Sequence, residues 1–461
     1  MKESLHREPV SVRKAFFAAA ATRNLSWRRG VLKKLKSALI ENEDLFLGAL
    51  KKDMDKPPAE AYSSEIGFVL NEIDHALAHL NSWARRRKVR TPFLWFPASS
   101  RVVPEPKGVV LIIGPWNYPI GLLLAPLVGA LAAGCTAVLK PSELSPESSS
   151  ALAGVIGGTF DDREVAVVEG KAETAQKLLG EDFDHIFFTG SARVGKIVMA
   201  AAARRLTPVT LELGGKNPCV IDREVDLAVA ARRIVWGKFF NAGQTCVAPD
   251  YLLVPRPLKA PLLEKLRDSI ESFYGPDPKE SPDYARVIND RHFSRLTGLM
   301  GEGEIVIGGE ADPAARYLAP TVIDNVAWNH RVMEEEIFGP VLPVLEYESL
   351  DEAISAVNAR PRPLALYFFS SDRKRRERII RETSSGGVCF NDTVIHILPP
   401  RLPFGGVGRS GMGSYHGRAS FDTFTHFKSV MIRSFRLDLS LRYPPYRTPL
   451  RTLKKVLRFL R

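Results

Sequence analysis

One cysteine in a polar turn is the first residue of this chain that could do chemistry. Cys246 lies within residues 241–249, among Asn, Gly, Gln, Thr and Pro, and it is separated from the other three cysteines of the sequence. A thiol is partly ionised at neutral pH and is intrinsically a strong nucleophile, so one well-placed cysteine can form a covalent intermediate. The alternative is a buried structural cysteine, which is the usual fate of a free thiol.

A carboxylate and an amide lie in two further segments whose composition suits catalysis. Glu212 stands between two leucines, immediately before a glycine pair, and apolar surroundings raise a carboxylate pKa towards the range of a general base. Asn117 lies in a turn directly after the apolar run 109–113, where its amide can donate hydrogen bonds to an oxyanion. Each residue also has a structural interpretation, Glu212 as a charged residue at a strand end and Asn117 as a turn former.

These segments, with others in the same order, resemble the motifs of the aldehyde dehydrogenase superfamily. The resemblance extends from Phe16 to Lys428, and the run 411–424 is most similar to the class 3 branch, which includes fatty and aromatic aldehyde dehydrogenases. The motifs are a cofactor turn at 188–195, a general-base motif at 211–216, a nucleophile motif at 243–246 and two further motifs at 334–340 and 402–406.

The resemblance implies NAD- or NADP-dependent oxidation of a medium- or long-chain aliphatic or aromatic aldehyde to the carboxylic acid. Cys246 would attack the aldehyde, its own backbone N–H and the Asn117 amide would hold the oxyanion, and Glu212 would activate water against the thioester. Two alternatives remain. Glu212 disfavours an acylating enzyme that passes the acyl group to a thiol carrier, and the three residues together disfavour a non-enzymatic scaffold protein.

The same resemblance implies the residues that contact the cofactor. Lys140 and Glu143 lie at the adenosine ribose, where Glu143 either binds the hydroxyls of NAD or moves aside for the 2′-phosphate of NADP. A turn that begins a helix offers free N–H groups to the pyrophosphate, although such a turn is ordinarily only a helix cap. The residues of this turn are Gly190, Ser191, Ala192, Arg193, Val194 and Gly195.

The nicotinamide end of the cofactor is assigned to residues of the last two motifs. Glu336 would hold the nicotinamide ribose, Phe338 belongs to the same motif, and Phe404 would pack near the nicotinamide ring. The structural alternatives are a solvated acidic run for Glu336 and a core position for Phe404. His396, His416 and His426 lack the i, i+4 spacing typical of metal ligands, so no metal is expected.

The elements that position these residues are predicted from an alternation of short β-branched runs with helical segments. This alternation predicts an α/β fold with a Rossmann-like parallel-sheet cofactor domain and a second α/β catalytic domain. We expect the NAD(P)-binding domain at 1–84 and 105–211 and the catalytic domain at 212–395. A small β element for oligomerisation or bridging is expected at 85–104 and 396–433, and the class 3 resemblance implies a homodimer.

Two apolar stretches raise the question of membrane insertion or export. The segment 108–139 has no charged residue, but Pro126 and several glycines favour a buried strand, helix and strand over a membrane span of about 20 residues. The run 15–21 is interpreted as part of a first helix rather than as a signal peptide. Unpaired cysteines favour a reducing cytoplasm.

The net charge of +12 is concentrated in a C-terminal tail. Residues 431–461 contain nine Arg or Lys and one Asp, a net +8, which leaves +4 for the rest of the chain, so nucleic-acid binding is not expected. Residues 434–461 are predicted to form a basic amphipathic tail in which Thr448 caps a helix that begins at Pro449. Its apolar face is formed by Leu450, Leu453, Leu457 and Leu460.

A basic amphipathic helix of this kind lies at an anionic membrane surface or docks to a partner. We therefore expect peripheral membrane association through residues 448–461. The alternatives are a helix packed on the body and a disordered end.

Overall fold

Two largely parallel sheets with helices on their faces form the body of the protein, seen in a computed structural model that describes residues 10–438 and 442–459. Outside the described residues lie residues 1–9, at the start of the expected cofactor domain, and residues 439–441, Leu460 and Arg461, which belong to the expected tail. The α-helices are α1 Val10–Ala18, α2 Leu25–Glu41, α3 Glu43–Met54, α4 Pro58–Ala61, α5 Gly67–Trp83, α6 Gly121–Ala133, α7 Pro146–Thr159, α8 Ala172–Leu179, α9 Ala192–Ala203, α10 Leu227–Phe239, α11 Arg256–Tyr274, α12 Asp290–Met300, α13 Leu350–Asn358, α14 Arg373–Glu382, α15 Gly417–Thr423 and α16 Leu450–Phe459.

The strands form two large sheets and two small ones. They are β1 Arg87–Val89, β2 Ala98–Pro106, β3 Val109–Ile113, β4 Thr136–Lys140, β5 Val165–Val167, β6 His185–Gly190, β7 Val209–Leu213, β8 Pro218–Ile221, β9 Tyr251–Pro255, β10 Glu304–Ile307, β11 Ala311–Asp312, β12 Tyr317–Leu318, β13 Thr321–Asp324, β14 Val341–Tyr347, β15 Ala365–Phe369, β16 Gly387–Phe390, β17 Gly411–Met412 and β18 Thr425–Arg433.

The first large sheet has the order β17-β7-β6-β3-β4-β5, and all its pairs are parallel except β17 with β7. Every residue of β3 and β4 is buried, as expected for strands covered on both faces by helices. The helix α6 connects these two strands, so the uncharged segment 108–139 is the buried strand, helix and strand that the sequence predicts. No helix among the described residues combines the length and apolar content needed to cross a bilayer.

The expected domain boundary at 211/212 stays a prediction, and it falls within a strand. It cuts through β7, which pairs with β6 over its whole length, and Glu212 lies opposite Thr189 in that pairing. Glu212 is therefore a residue of the first sheet, and the chain crosses to the second sheet only over residues 214–217. The reason is that hydrogen bonding to β6 continues to Leu213, one residue short of the glycine pair.

The second large sheet has the order β10-β13-β14-β9-β8-β15-β16, with only the edge strand β10 antiparallel to its neighbour. Both large sheets contribute to one main core, since Val110 of the first sheet and Leu252 of the second belong to the same cluster of buried apolar side chains. The α/β fold class that the sequence predicts is confirmed.

A separate three-stranded antiparallel sheet has the order β1-β2-β18. Of the expected bridging segment 396–433, only residues 425–433 join this sheet. Earlier in the segment, β17 extends the first large sheet and α15 packs against α6. The tail carries the predicted helix, which begins at Leu450 directly after Pro449. At the other end, α1 ends at Ala18, before the end of the run 15–21.

Candidate active site

A left-handed turn presents Cys246 after α10. The backbone φ angles are 53° at Asn241, 49° at Ala242 and 72° at Gly243, values that L-residues other than Gly, Asn and Asp rarely adopt. Glycine is required at 243 for a second reason, because a Cβ atom there would lie 2.3 Å from the carbonyl oxygen of Gly339. The turn leaves Cys246 half-buried, in contrast to the other cysteines, which are buried as expected.

Asn217 holds the segment that carries Cys246 by hydrogen bonds. Its side-chain nitrogen donates to the carbonyl oxygens of Cys246 at 2.8 Å and Ala248 at 3.1 Å, and its side-chain oxygen accepts from the Ala365 N–H at 2.9 Å. The Tyr367 hydroxyl also donates to the carbonyl of Val247. The sequence analysis assigned Asn217 no role. The available signal was an amide at the start of the apolar strand β8, where a buried polar group needs partners.

Asn117 lies against the same turn. Its buried side-chain amide donates to the Gln244 carbonyl oxygen at 2.9 Å, and its own carbonyl accepts from the Asn241 side-chain amide at 2.9 Å. The next residue, Tyr118, hydrogen-bonds through its hydroxyl to the Thr245 hydroxyl at 2.6 Å. The structure therefore brings the predicted oxyanion donor to the nucleophile turn, although the two are far apart in sequence.

Glu212 is a buried carboxyl without hydrogen-bond partners. It is 3 % exposed, and neither carboxyl oxygen has a partner among the described residues. Burial raises the pKa of Glu212 well above its usual value, because an ionised carboxylate loses its hydration there. This is the environment that the flanking leucines predict.

The Cys246 thiol lies close to two carboxyl groups. Burial, followed by the charges of Glu336 and Glu212, raises the pKa of Cys246 to about 12, although the N–H groups of Cys246 and Val247 act in the opposite direction. The structure thus gathers the predicted nucleophile, the predicted base and one predicted cofactor residue around one sulfur atom.

Glu336 lies directly against the glycine pair that follows β7. A Cβ atom at Gly214 would be 1.8 Å from the Glu336 Oε2 atom, so a side chain at this position would displace the carboxyl. The Glu336 Oε1 atom is buried with no hydrogen-bond partner among the described residues, and burial, followed by the charge of Asp250, raises the pKa of Glu336 to about 8. Glu336 is therefore not part of a solvated acidic face, although Glu334 and Glu335 are exposed.

A buried ion pair adjoins Glu336. The Lys216 Nζ lies 2.5 Å from Asp250 Oδ2, and the Ile337 N–H donates to Asp250 Oδ1 at 2.9 Å. Lys238 is also fully buried, its Nζ has no partner among the described residues, and burial lowers its pKa to about 8. Neither Asp250 nor Lys238 carried a signal in the sequence, because single charged residues in ordinary helical or turn segments are not distinctive.

The residues expected at the adenosine end lie at the carboxyl ends of β4 and β6. Lys140 is buried, with its Nζ 3.5 Å from Glu143 Oε2. Residues 190–195 form the end of β6 and the start of α9, and the Ser191 hydroxyl accepts from the Val194 N–H at 3.4 Å. Ser191 is therefore a helix cap, the local role that the sequence analysis left open. The exposed helix start remains available to an anion.

The predicted aromatic residues fall into two groups. The Phe338 ring lies 5.3 Å from the Trp116 ring, beside the turn that holds Asn117. Phe404 is 8 % exposed and stacks on His416 at 5.3 Å, with Tyr415 next to both. This second group lies within electrostatic reach of Glu212 and Cys246, because their charges contribute, after burial, to raising the pKa of Tyr415 well above its usual value.

Comparison with known proteins supports one family. The family profile described as "Aldehyde dehydrogenase family" matches residues 7–430. The chain is 48 % identical over 443 residues to the 4,4'-diaponeurosporen-aldehyde dehydrogenase of Staphylococcus aureus, covering 96 % of each protein. It is also 48 % identical over 443 residues to aldehyde dehydrogenase family 3 member A2 of Mus musculus, covering 96 % of this chain and 91 % of that protein.

A solved structure described as the substrate bound state of Staphylococcus aureus AldH has a TM-score of 0.95 and 47 % identity, covering 97 % of this chain and 98 % of that chain. The predicted class 3 resemblance is confirmed by these relatives. The chain thus belongs to the aldehyde dehydrogenase family and is an NAD(P)-dependent enzyme that oxidises aldehydes.

Proposed function

We propose that this enzyme oxidises aldehydes through a thioester on Cys246, with Glu212 as the general base and Asn117 as an oxyanion donor. The observation that carries the proposal is the buried Glu212 carboxyl, which has no hydrogen-bond partner among the described residues and whose charge acts on the Cys246 thiol. A buried polar group without a partner is costly to the fold, so its retention favours a functional role.

In the first half of the reaction, the Cys246 sulfur bonds to the aldehyde carbon and the thiol proton passes to solvent. The carbonyl oxygen becomes an alkoxide that accepts hydrogen bonds from the Asn117 amide and the Cys246 N–H, which stabilise the negative charge. Collapse of the alkoxide expels a hydride and leaves a thioester. Bound NAD or NADP supplies the hydride acceptor.

In the second half, Glu212 takes a proton from water and the resulting hydroxide attacks the thioester carbon. The carbon–sulfur bond breaks, the carboxylic acid leaves, and the proton on Glu212 passes to the Cys246 thiolate, which restores both groups. A base with a raised pKa suits this step, because it accepts a proton more readily than an ordinary carboxylate.

The residues present fit the cofactor. Glu336 has an unpartnered oxygen for a ribose hydroxyl, the start of α9 offers N–H groups to a pyrophosphate, and Lys140 with Glu143 provides charged groups for the second ribose. Phe338 and Phe404 are proposed as contacts at the nicotinamide end. The choice between NAD and NADP rests on whether Glu143 stays or moves.

We propose medium- or long-chain aliphatic or aromatic aldehydes as substrates. The support is the resemblance to the class 3 branch, which includes fatty and aromatic aldehyde dehydrogenases, and the similarity to aldehyde dehydrogenase family 3 member A2 of Mus musculus. The Staphylococcus aureus relative is named for 4,4'-diaponeurosporen-aldehyde.

The experiment is a burst measurement of reduced cofactor with decanal and benzaldehyde, each with NAD and with NADP. Cys246→Ala is expected to give no burst. Glu212→Gln is expected to give one equivalent of reduced cofactor per site, after which the steady rate falls by about 10²–10⁴, the usual contribution of a general base. Cys219→Ala, at a buried cysteine in β8, is the matched control that keeps the burst and the steady rate.

Turnover by Cys246→Ala at the rate of the unaltered enzyme would rule out the thioester. A Glu212→Gln enzyme that regains full turnover only when a thiol carrier is added would instead favour the acylating alternative. A protein without a burst under all four conditions would favour the scaffold alternative.

We further propose a homodimer and a cytoplasmic location. The outer edge of β18 is unpaired among the described residues, and Met431 and Ile432 on this strand are 51 % and 53 % exposed, which favours pairing with another chain. The location is supported by four cysteines that are all free.

For the tail, we propose binding to an anionic membrane surface. In α16, Leu450 and Leu457 are 64 % and 39 % exposed, and the exposed basic residues on the same helix complement anionic lipid. The start of the tail lies beside a second exposed apolar site, because the Ser434 N–H donates to the Pro97 carbonyl at 3.0 Å and Phe96 is 60 % exposed.

The test is flotation with vesicles of phosphatidylcholine containing phosphatidylserine. The full chain is expected to float at low salt and to dissociate as salt rises, and deletion of 448–461 should abolish binding. Lys454→Gln with Lys455→Gln removes charge alone, and Leu450→Ser with Leu457→Ser removes apolar contact alone. Binding to vesicles that changes neither with salt nor with the deletion would exclude this role.

A further inference from the structure

A buried ion pair lies behind the turn that carries Asn117. Lys56 and Glu65 have fully buried side chains, and the Lys56 Nζ is 2.6 Å from Glu65 Oε1. Lys56 lies between α3 and α4, and Glu65 lies in a π-helical turn, Tyr62–Ile66, that joins α4 to α5. Single π turns within helices occur frequently at functional sites.

The lysine holds the backbone of Asn117. Its Nζ donates to the Asn117 carbonyl oxygen at 3.0 Å and lies 4.2 Å from the centre of the Tyr118 ring. With the bond from Asn241, the Asn117 carbonyl therefore accepts two donors, one from the helical layer and one from the nucleophile turn. The position of the Asn117 amide is set from both directions.

The glutamate holds the other end of the same turn. Its Oε2 accepts from the N–H groups of Ile120 and Gly121, both at 2.9 Å, at the start of α6. The contact is close, since a Cβ atom at Gly121 would lie 3.3 Å from the Glu65 Cα. The turn between β3 and α6 is thus fixed at Asn117 by the ammonium and at Ile120 and Gly121 by the carboxylate.

Stability alone does not account for this pair. Taking two charges out of water costs several kcal/mol per ion, and replacing such a pair by apolar residues is often neutral or stabilising. The benefit of the pair is therefore expected in geometry, where a shift of about 1 Å in a catalytic group can slow a reaction about 100-fold.

We propose that the Lys56–Glu65 pair positions the oxyanion donor Asn117. These two residues act through Asn117 and do not touch the substrate. The inference rests on the proposed function, because it assumes that Asn117 contacts the oxyanion.

The test is a double-mutant cycle on the first-turnover rate of reduced-cofactor formation with decanal. Asn117→Ala is expected to slow this rate about 10²–10³-fold, the usual effect of losing one oxyanion donor. Lys56→Met is expected to slow it about 10–100-fold, with the half-saturating aldehyde concentration changed by less than about threefold. The double variant should be within about twofold of Asn117→Ala alone, because a positioning residue has nothing left to position.

Glutamine has nearly the same shape as glutamate, so Glu65→Gln is the milder change. If Lys56→Met fails to fold, a second cycle that combines Glu65→Gln with Asn117→Ala tests the same positioning role. Asp222→Asn is the control, since the buried Asp222 pairs with the half-buried Arg375 at 2.9 Å elsewhere in the chain. It should lower the melting temperature without changing the first-turnover rate.

The positioning role would be overturned if the rate loss of Lys56→Met or Glu65→Gln multiplied with that of Asn117→Ala in the double variant. It would also be overturned if Lys56→Met and Glu65→Gln left the first-turnover rate unchanged. An unchanged rate in Asn117→Ala itself would instead count against the proposed function. The two failures are therefore distinguishable.

Discussion

At the scale of single residues, the site contains three buried acids, and two of them oppose the ionisation of the third. The charges of Glu336 and Glu212 both raise the pKa of Cys246, and burial raises the pKa of all three groups. Without a cofactor, the thiol is therefore protonated at neutral pH. A cation beside the sulfur would reverse this preference, which couples the reactivity of the thiol to occupancy of the site.

We predict that Glu212→Gln makes the Cys246 thiol more acidic. Removing a carboxylate charge near the sulfur lowers the thiol pKa from about 12, so the midpoint of the alkylation rate against pH should move down. The measurement is the iodoacetamide reaction rate at pH values above the raised pKa of Glu212, where this carboxyl is charged. Glu336→Gln should act in the same direction. A midpoint that stays in place or rises in Glu212→Gln would contradict the proximity of the two groups.

A second prediction concerns stability without cofactor. Because the pKa of Glu212 is raised in the fold, the neutral carboxyl stabilises the native state fully below the ordinary value of 4.5, and this stabilisation is lost as pH rises through the folded pKa. Glutamine has no proton to lose. The melting temperature of Glu212→Gln minus that of the unaltered protein should therefore increase from about pH 5 to about pH 9. The exposed Glu348→Gln is the control, and a difference that falls with pH would contradict the burial of Glu212.

At the scale of elements, the nucleophile depends on a turn whose backbone is strained. Asn241, Ala242 and Gly243 are all left-handed, and the turn packs on the segment that carries Glu336 and Gly339. The strain is balanced by the bonds from Asn217 and Asn117 to the same segment. A few polar side chains from other elements thus determine where the sulfur lies.

We predict that two adjacent positions of this turn differ in how well they tolerate substitution. Gly243→Ala adds a methyl group against the Gly339 carbonyl at a left-handed residue, so it should destabilise the protein by about 1–3 kcal/mol and slow turnover. Ala242→Gly removes a strained side chain at the cost of a more flexible unfolded chain, so its free energy of unfolding should change by less than about 1 kcal/mol. Thermal unfolding and the burst assay check both, and equal effects at the two positions would contradict this account.

At the scale of the whole molecule, the proposed catalytic groups lie where the chain crosses from one sheet to the other. Glu212 is the next-to-last residue of β7 and Asn217 directly precedes β8, so only residues 213–216 separate the proposed base from the residue that holds the Cys246 segment. The shared core fixes the two sheets against each other. The three-stranded sheet lies outside this arrangement and presents an open edge.

We predict that this edge forms the dimer. Placing lysines at exposed apolar positions of β18, as in Met431→Lys with Ile432→Lys, should shift the protein to a monomer by removing apolar contact and adding charge. Sedimentation of the full chain measures the change, with Leu206→Lys as the control because Leu206 is 91 % exposed elsewhere. A double variant that keeps the mass of the unaltered protein would place the interface elsewhere.

The sequence by itself determined the family, the α/β fold and the positions of Cys246, Glu212 and Asn117. These depend on local chemistry, since a cysteine in a Gly-rich turn, a carboxylate between leucines and an Asn after an apolar strand are each readable within a few residues. The buried strand, helix and strand at 108–139 were also predicted from the sequence, because proline and glycine interrupt this uncharged segment.

Only the tertiary structure decided which distant side chains hold those groups. Lys56, Glu65 and Asn217 contact the site from other elements, and their charges or amides are unremarkable within their own segments. The same holds for the end of β7 at Leu213, which depends on pairing with β6. Burial, hydrogen-bond partners and pKa shifts arise from contacts between elements, so a linear pattern predicts the proposed reacting groups but not the residues that contact them.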